Sequence, residues 1–178
     1  YKHCDVTVES DVEDLVALAV TKWGKLDIMY SNAGILGKHM SGMHDLDMAN
    51  FDNVLNVNVR GMALALKHGS RVMIDAKTKG VIICTGSIAS VIGAVAPIEY
   101  TVSKHALLGL MRSATNDLGK YGIRVNCVSP SSIMTPLSLN FFRDVIMKGH
   151  SSVPDHEIQS LSNSVNVLSG HTLYPIDV

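Results

Sequence analysis

One apolar run, Val81-Ile82-Ile83-Cys84, constrains this chain more than anything else in it, with Ile123 to Val128 as another expected buried strand. A half-solvated strand alternates apolar and polar residues, whereas a continuous run suits a strand buried on both faces of a parallel sheet. Parallel strands need long crossovers, usually helical, and the intervening segments supply them. Val12, Leu15, Val16, Ala19 and Trp23 recur at helical spacing. Ser10-Asp11-Val12-Glu13 precedes them as a capping box and Gly24 follows as a stop. Asp47 is placed to cap a long helix carrying Phe51, Val54, Leu55, Val59, Met62, Leu66 and Met73, and Gly80 ends the turn after it. A further helix runs from about Tyr100 to Leu118, before Gly119. His3 to Thr7 reads as the end of a short strand, and Leu26 to Tyr30 as another. Strands alternating with helices predict an α/β fold with right-handed crossovers.

Length and composition narrow the function. A chain of 178 residues, 47% hydrophobic and 17% charged, can bury one sizeable core and is most simply one domain. A net charge of −1 without a basic stripe argues against nucleic acid or anionic membrane as partner, and no apolar run is long enough to span a bilayer. Cys4, Cys84 and Cys127 all fall on expected strands, where free cysteine behaves as a small buried hydrophobe. Their odd number argues for a reducing compartment. With no secretory signal visible, the expectation is cytoplasmic. His39 with His44, and His150 with His156, lack metal-ligand spacing and fall in expected loops, so no metal is predicted. Because Tyr1 stands where a methionine would, the expectation is a processed chain, a fragment or an incomplete gene product.

The chemistry centres on Tyr100-Thr101-Val102-Ser103-Lys104. In a helix, Tyr100 and Lys104 are i and i+4 and project from one face. An ammonium one turn away favours the phenolate and lowers the phenol's pKa. Ser87, thirteen residues before Tyr100, offers a hydroxyl from a strand end to hold a substrate oxygen beside the phenol. That is a proton-transfer site for alcohol–carbonyl interconversion. Ser90 and Ser103 are alternatives to Ser87. Ile88, Ala89, Val91, Ile92, Ala94 and Val95, with Met134, suggest an apolar pocket; the plainer reading is that several fill the core.

Tyr-x-x-x-Lys alone is a weak signal, but it has company. Ser31-Asn32-Ala33-Gly34 and Asn56-Val57-Asn58-Val59-Arg60-Gly61 lie upstream, and Ile123 to Pro130, then Thr135, lie downstream. In this order and spacing the set resembles the short-chain dehydrogenase/reductase family over about residues 4 to 137. Within it, Arg71 to Ile74, Ser103 to Ala106 and Gly119 to Asn126 look most like plant alcohol dehydrogenases of the secoisolariciresinol dehydrogenase type, enzymes of secondary metabolism. The resemblance implies a Rossmann-type, doubly wound parallel sheet. It implies an oxidoreductase using NAD or NADP, with NAD favoured, on a small hydrophobic secondary alcohol or ketone, and a homo-oligomer (dimer or tetramer). By residue, it implies that Ser87 orients substrate, that Tyr100 is acid or base, and that Lys104 lowers the tyrosine pKa and binds ribose. Asn58 is implied to kink its helix and hold a proton-relaying water. Asp5 is implied to contact adenine with Val6 beside it, Asn32, Ala33 and Gly34 to line the cofactor, and Pro130, Ile133 and Thr135 to hold the carboxamide. The plain readings are an exposed turn-capping aspartate for Asp5 and ordinary turns for the two loops.

The sequence also departs from that pattern. The family's first strand, Gly-rich turn, helix and second strand are expected ahead of Tyr1, and no Gly-x-Gly run occurs in the 178 residues. The fold expected is therefore an incomplete sheet, one partial domain over 1–178 with its core at 4–137 and a divergent tail at 138–178. An open strand edge, with either poor stability or association through that edge, and weak or absent cofactor affinity follow as expectations. Ser131 stands where the family has glycine after Pro130. In the tail, Pro154 to Glu157 begins a short helix and Ser169 to Leu173 resembles the family's last strand, but the helix expected just before that strand has no evident counterpart. The alternative function is a truncated, inactive member acting as an interaction partner through the helices at about 47–76 and 100–118.

Overall fold

A computed structural model of the chain describes residues 1–38, 42–146, 153–166 and 171–178, without the side chains of 144–146. His39, His150, Ser169 and Gly170 lie outside the described residues.

Helix α1 (Glu9–Trp23) leads to β1 (Ile28–Ser31). After a loop come α2 (Met48–Leu55), a π-helical turn at Asn56–Arg60, and α3 (Gly61–Asp75). Then follow β2 (Val81–Thr85), α4 (Ile98–Leu118), β3 (Arg124–Val128), α5 (Pro136–Ile146) and α6 (Asp155–Ser164). The three strands are parallel in the order β1-β2-β3, with Met29, Ile82 and Val125 in one row and Ser31, Cys84 and Cys127 in the next. Leu173 adds a single parallel bridge to Ile133. The arrangement is α/β of Rossmann type, incomplete.

Several sequence expectations hold for physical reasons visible here. Gly24 takes φ +81° and its N–H closes α1 on the Val20 carbonyl. Asp47 Oδ1 accepts from the Ala49 and Asn50 amides, capping α2. The long helix from Asp47 is interrupted at Asn58, where the π-helical turn separates α2 from α3.

Other expectations are corrected. His3 to Thr7 is no strand. No described strand pairs with it, and Asp5 Oδ1 accepts from both the Thr7 amide and hydroxyl, turning the chain into α1. Cys4 is therefore off the sheet, whereas Cys84 and Cys127 are on β2 and β3. The capping box at Ser10 does not form: α1 starts at Glu9 with Val8 as N-cap, and Asp11 takes the Asp5 amide instead. His156 lies in α6, not a loop. That helix is the short one expected from Pro154; it precedes the Leu173 bridge and anchors itself through fully buried Ile158.

The sheet is covered on one face. Met62, Leu66 and Met73 of α3 and Leu107 and Leu118 of α4 close over Ile82, Cys84 and Val125. α1 packs against α3 in turn, through buried Val12 and Val16 and through ion pairs of Glu9 with Lys67 and Glu13 with Arg71. On the opposite face Val81 and Ile83 are only half-buried, and Ile28 (61% exposed) and Tyr30 (51%) are open. The run at 81–84 is thus a strand buried on alternate residues, contrary to the expectation of two covered faces.

Candidate active site

At the carboxyl ends of the strands lies a cavity of about 730 Å³. That is where ligands sit in open α/β sheets. β1 contributes Tyr30 and the following Asn32 and Gly34. β2 contributes Ile83 and Thr85, the turn after it Ser87, and α4 contributes Tyr100 and Lys104. The loop after β3 adds Pro130, Ile133 and Thr135.

Each polar group has a local reason to be where it is. Ser87 is the N-cap of a 3-10 turn: its Oγ accepts from Ala89 N–H while its own amide donates to Ser90 Oγ. Ser90 is spent on that cap, and Ser103 lies fully buried, donating to the Tyr100 carbonyl. Of the three serines considered, Ser87 alone lines the cavity. A hydroxyl carries one hydrogen, so Thr85 gives its own to Asn32 Oδ1 at 2.9 Å and takes that of Tyr30 at 3.0 Å.

Lys104 is 4% exposed, and its Nζ donates to the Thr85 carbonyl at 2.7 Å. Among the described residues no carboxylate pairs with it. Desolvation lowers its pKa to about 8. Its Nζ stands 5.4 Å from the centroid of the Tyr100 ring. Tyr100 departs from the expected depressed pKa. Burial raises it, and the opposing influence comes from the Ser87 hydroxyl rather than from the ammonium. Burial thus favours the neutral phenol, and Ser87 lines the same cavity.

Asn58 is buried beneath this group rather than in the cavity wall. Its Nδ2 donates to the Ile35 carbonyl and to Ser103 Oγ, and its Oδ1 accepts from the Ile35 amide. It ties the loop after β1 to α4 at the π-helical turn. A Cβ on Gly34 would stand 3.3 Å from Asn58 Oδ1 and 3.7 Å from Lys104 Nζ, so a bare backbone suits that close approach.

Asp5, Val6 and Ala33 do not line the cavity. Asp5 is exposed, with its pKa lowered by the Thr7 backbone hydrogen bond, and Val6 packs against Gly61. Val91 and Ile92 face solvent and Ala94 and Met134 lie off the wall, whereas Ile88, Ala89 and Val95 belong to it. The sequence reading missed Leu137, Phe141 and Phe142 of α5, which close the cavity's apolar side. Their signal was Pro136 at a helix start followed by Leu137, Phe141 and Phe142 at helical spacing.

These donors fit the ribose and carboxamide end of a nicotinamide cofactor: a buried ammonium with hydrogens to spare, a bare-backbone loop and two hydroxyls. They offer no glycine-rich turn for its phosphates. Among the described residues no cluster of side chains suits a metal ion, and no helix is long and apolar enough to cross a membrane.

A family model described as enoyl-(acyl carrier protein) reductase matches residues 1–167. Short-chain dehydrogenase reductase 3b of Arabidopsis thaliana is 48% identical over 143 residues, 80% of this chain and 55% of that protein. (+)-Borneol dehydrogenase 2 of Salvia officinalis is 50% identical over 137 residues, 77% of this chain and 48% of that protein. The chain thus spans about half the length of these curated relatives. The crystal structure of an NAD+-bound xylitol dehydrogenase superposes with a TM-score of 0.80 at 32% identity, over 90% of this chain and 62% of that one.

Proposed function

This chain belongs to the short-chain dehydrogenase/reductase family, and on that premise we propose that its cavity serves the interconversion of a hydrophobic secondary alcohol and its ketone. The observation that carries the reading is the meeting of Ser87, Tyr100 and Lys104 in one largely apolar cavity. Ser87 holds the substrate oxygen, and Tyr100 passes a proton to it or takes one from it. Lys104 holds ribose hydroxyls and presents positive charge behind the phenol. Asn58 keeps the loop after β1 and the start of α4 in register. A nicotinamide cofactor, when bound, gives or accepts the hydride. Asn32, Gly34, Pro130, Ile133 and Thr135 would hold its nicotinamide end, with Asp5, Val6 and Ala33 in supporting places. NAD is favoured over NADP, and a dimer or tetramer is the working assembly. Phe141, Phe142 and Leu137 suit a bulky apolar substrate; the borneol named for one relative is a suitable first candidate.

The test has two steps. The protein from its natural source is weighed intact and assayed with NAD and NADP against borneol and related secondary alcohols. Turnover that disappears in Tyr100→Phe while cofactor binding persists supports the reading. Failure to bind either cofactor sinks it for this chain and leaves the non-catalytic interaction partner.

A further inference from the structure

The residue before the proposed catalytic phenol is a carboxyl with almost no access to water. Glu99 is 1% exposed, on the first turn of α4. Its Oε1 accepts from Asn50 Nδ2 at 2.6 Å, and Asn50, on α2, is 8% exposed. The other two polar atoms of the same pair, Glu99 Oε2 and Asn50 Oδ1, are buried without a partner. Two buried acceptors left over from one bonded pair share a single deficit, one hydrogen. A buried acceptor without a donor is destabilising. Among the described residues no cation pairs with Glu99, and burying an unpaired carboxylate is costly. Gly37 belongs to the same cluster. It has φ +97°, and a Cβ there would collide with Glu99 Oε1.

We propose that Glu99 is a positioning residue for Tyr100: it carries a hydrogen on Oε2 and closes a ring of two hydrogen bonds with Asn50, tying the start of α4 to α2 and to the loop at Gly37. A neutral carboxylic acid and a carboxamide are complementary in this way, each giving one hydrogen and taking one. The ring holds α4 one residue from the phenol. The consequence for catalysis rests on the role proposed above for Tyr100; the ring itself does not.

Glutamine has the donor and acceptor pattern of a protonated glutamate, and that makes the proposal testable without turnover. Infrared difference spectra of the wild-type chain against Glu99→Gln should show loss of a neutral carboxyl carbonyl band; loss of a carboxylate band overturns the ring. In urea unfolding, Glu99→Gln keeps the wild-type midpoint while Glu99→Ala and Asn50→Ala lower it; equal losses for Gln and Ala overturn it as well. Alkaline ultraviolet titration, taken as a difference against Tyr100→Phe, reads the phenol itself. Glu99→Ala should move its midpoint down as water enters, and Glu99→Gln should leave it in place. An unmoved midpoint in Glu99→Ala removes the positioning role even if the ring survives. Absence of turnover in every variant bears on the function proposed above and not on these readouts.

Discussion

The two faces of the three-stranded sheet are built from the same strands and behave differently. Ile82, Cys84 and Val125 point into the contact with α3 and α4 and are sealed. At positions of opposite parity on the same strands, Tyr30, Ile83 and Val128 point the other way, and the open end of that face becomes part of the cavity wall. Side-chain direction in a strand has period two, so neighbours in the sequence share composition and not environment. The lesson is that an apolar run shows where a strand lies; what covers each face is decided by the helices that pack on it.

The largest expected effect sharpens this contrast. Ile82→Ala opens a cavity in the sealed face and should cost about 2–5 kcal/mol. Tyr30→Ala, on the open face, should cost far less. Urea unfolding of both variants checks this. Comparable losses would mean that the open face is covered in solution.

The second prediction concerns buried ionisable groups. Lys104 has a folded pKa of about 8 against an ordinary 10.5, so between those values the unfolded chain binds more protons than the folded one. Stability should then rise with pH from about 8 upward, by about 1.4 kcal/mol per unit. Cys84 acts oppositely. Burial raises its pKa from 9.0 to about 12, so the folded chain keeps a proton the unfolded chain loses, and stability falls above pH 9. The expected profile rises from pH 8 to 9 and then flattens. Lys104→Met should abolish the rise, and Cys84→Ala should extend it past pH 9. Denaturant midpoints across that range decide; a flat wild-type profile between pH 8 and 9 would mean the ammonium is solvated.

A smaller effect lies where the sequence was most legible. Asp47 was readable as a cap because a carboxylate before a helix has one local job, and Asp47→Ala should cost about 1 kcal/mol in the same unfolding assay. Gly24, and the helical placement of Tyr100 and Lys104, were legible for the same reason: local spacing fixes them. The burial-raised phenol of Tyr100 and the side-chain bonds of Asn58 were not, since both depend on neighbours distant in sequence. Asp5 failed as a strand residue because a strand exists only in its pairing, and the described residues give it none. The helical spacing of α5 was readable; that its Leu137, Phe141 and Phe142 fold back over the cavity was not, because that depends on tertiary packing. Within the candidate site, spacing therefore located the groups proposed to react, and tertiary packing decides which way their pKa values move.

The smallest expected effect is the one that can break the comparison. Ile28 is an exposed apolar residue on β1, a strand with β2 on one side and, among the described residues, no strand on the other. An exposed apolar edge is an association hazard that charged side chains suppress. Ile28→Lys should therefore change unfolding stability by within about 0.5 kcal/mol, as surface substitutions do, while reducing concentration-dependent light scattering. If the lysine instead destabilised the protein as Ile82→Ala does, the second face would be a buried interface. The contrast between the faces would then be one of what covers them, helices on one side and another polypeptide surface on the other.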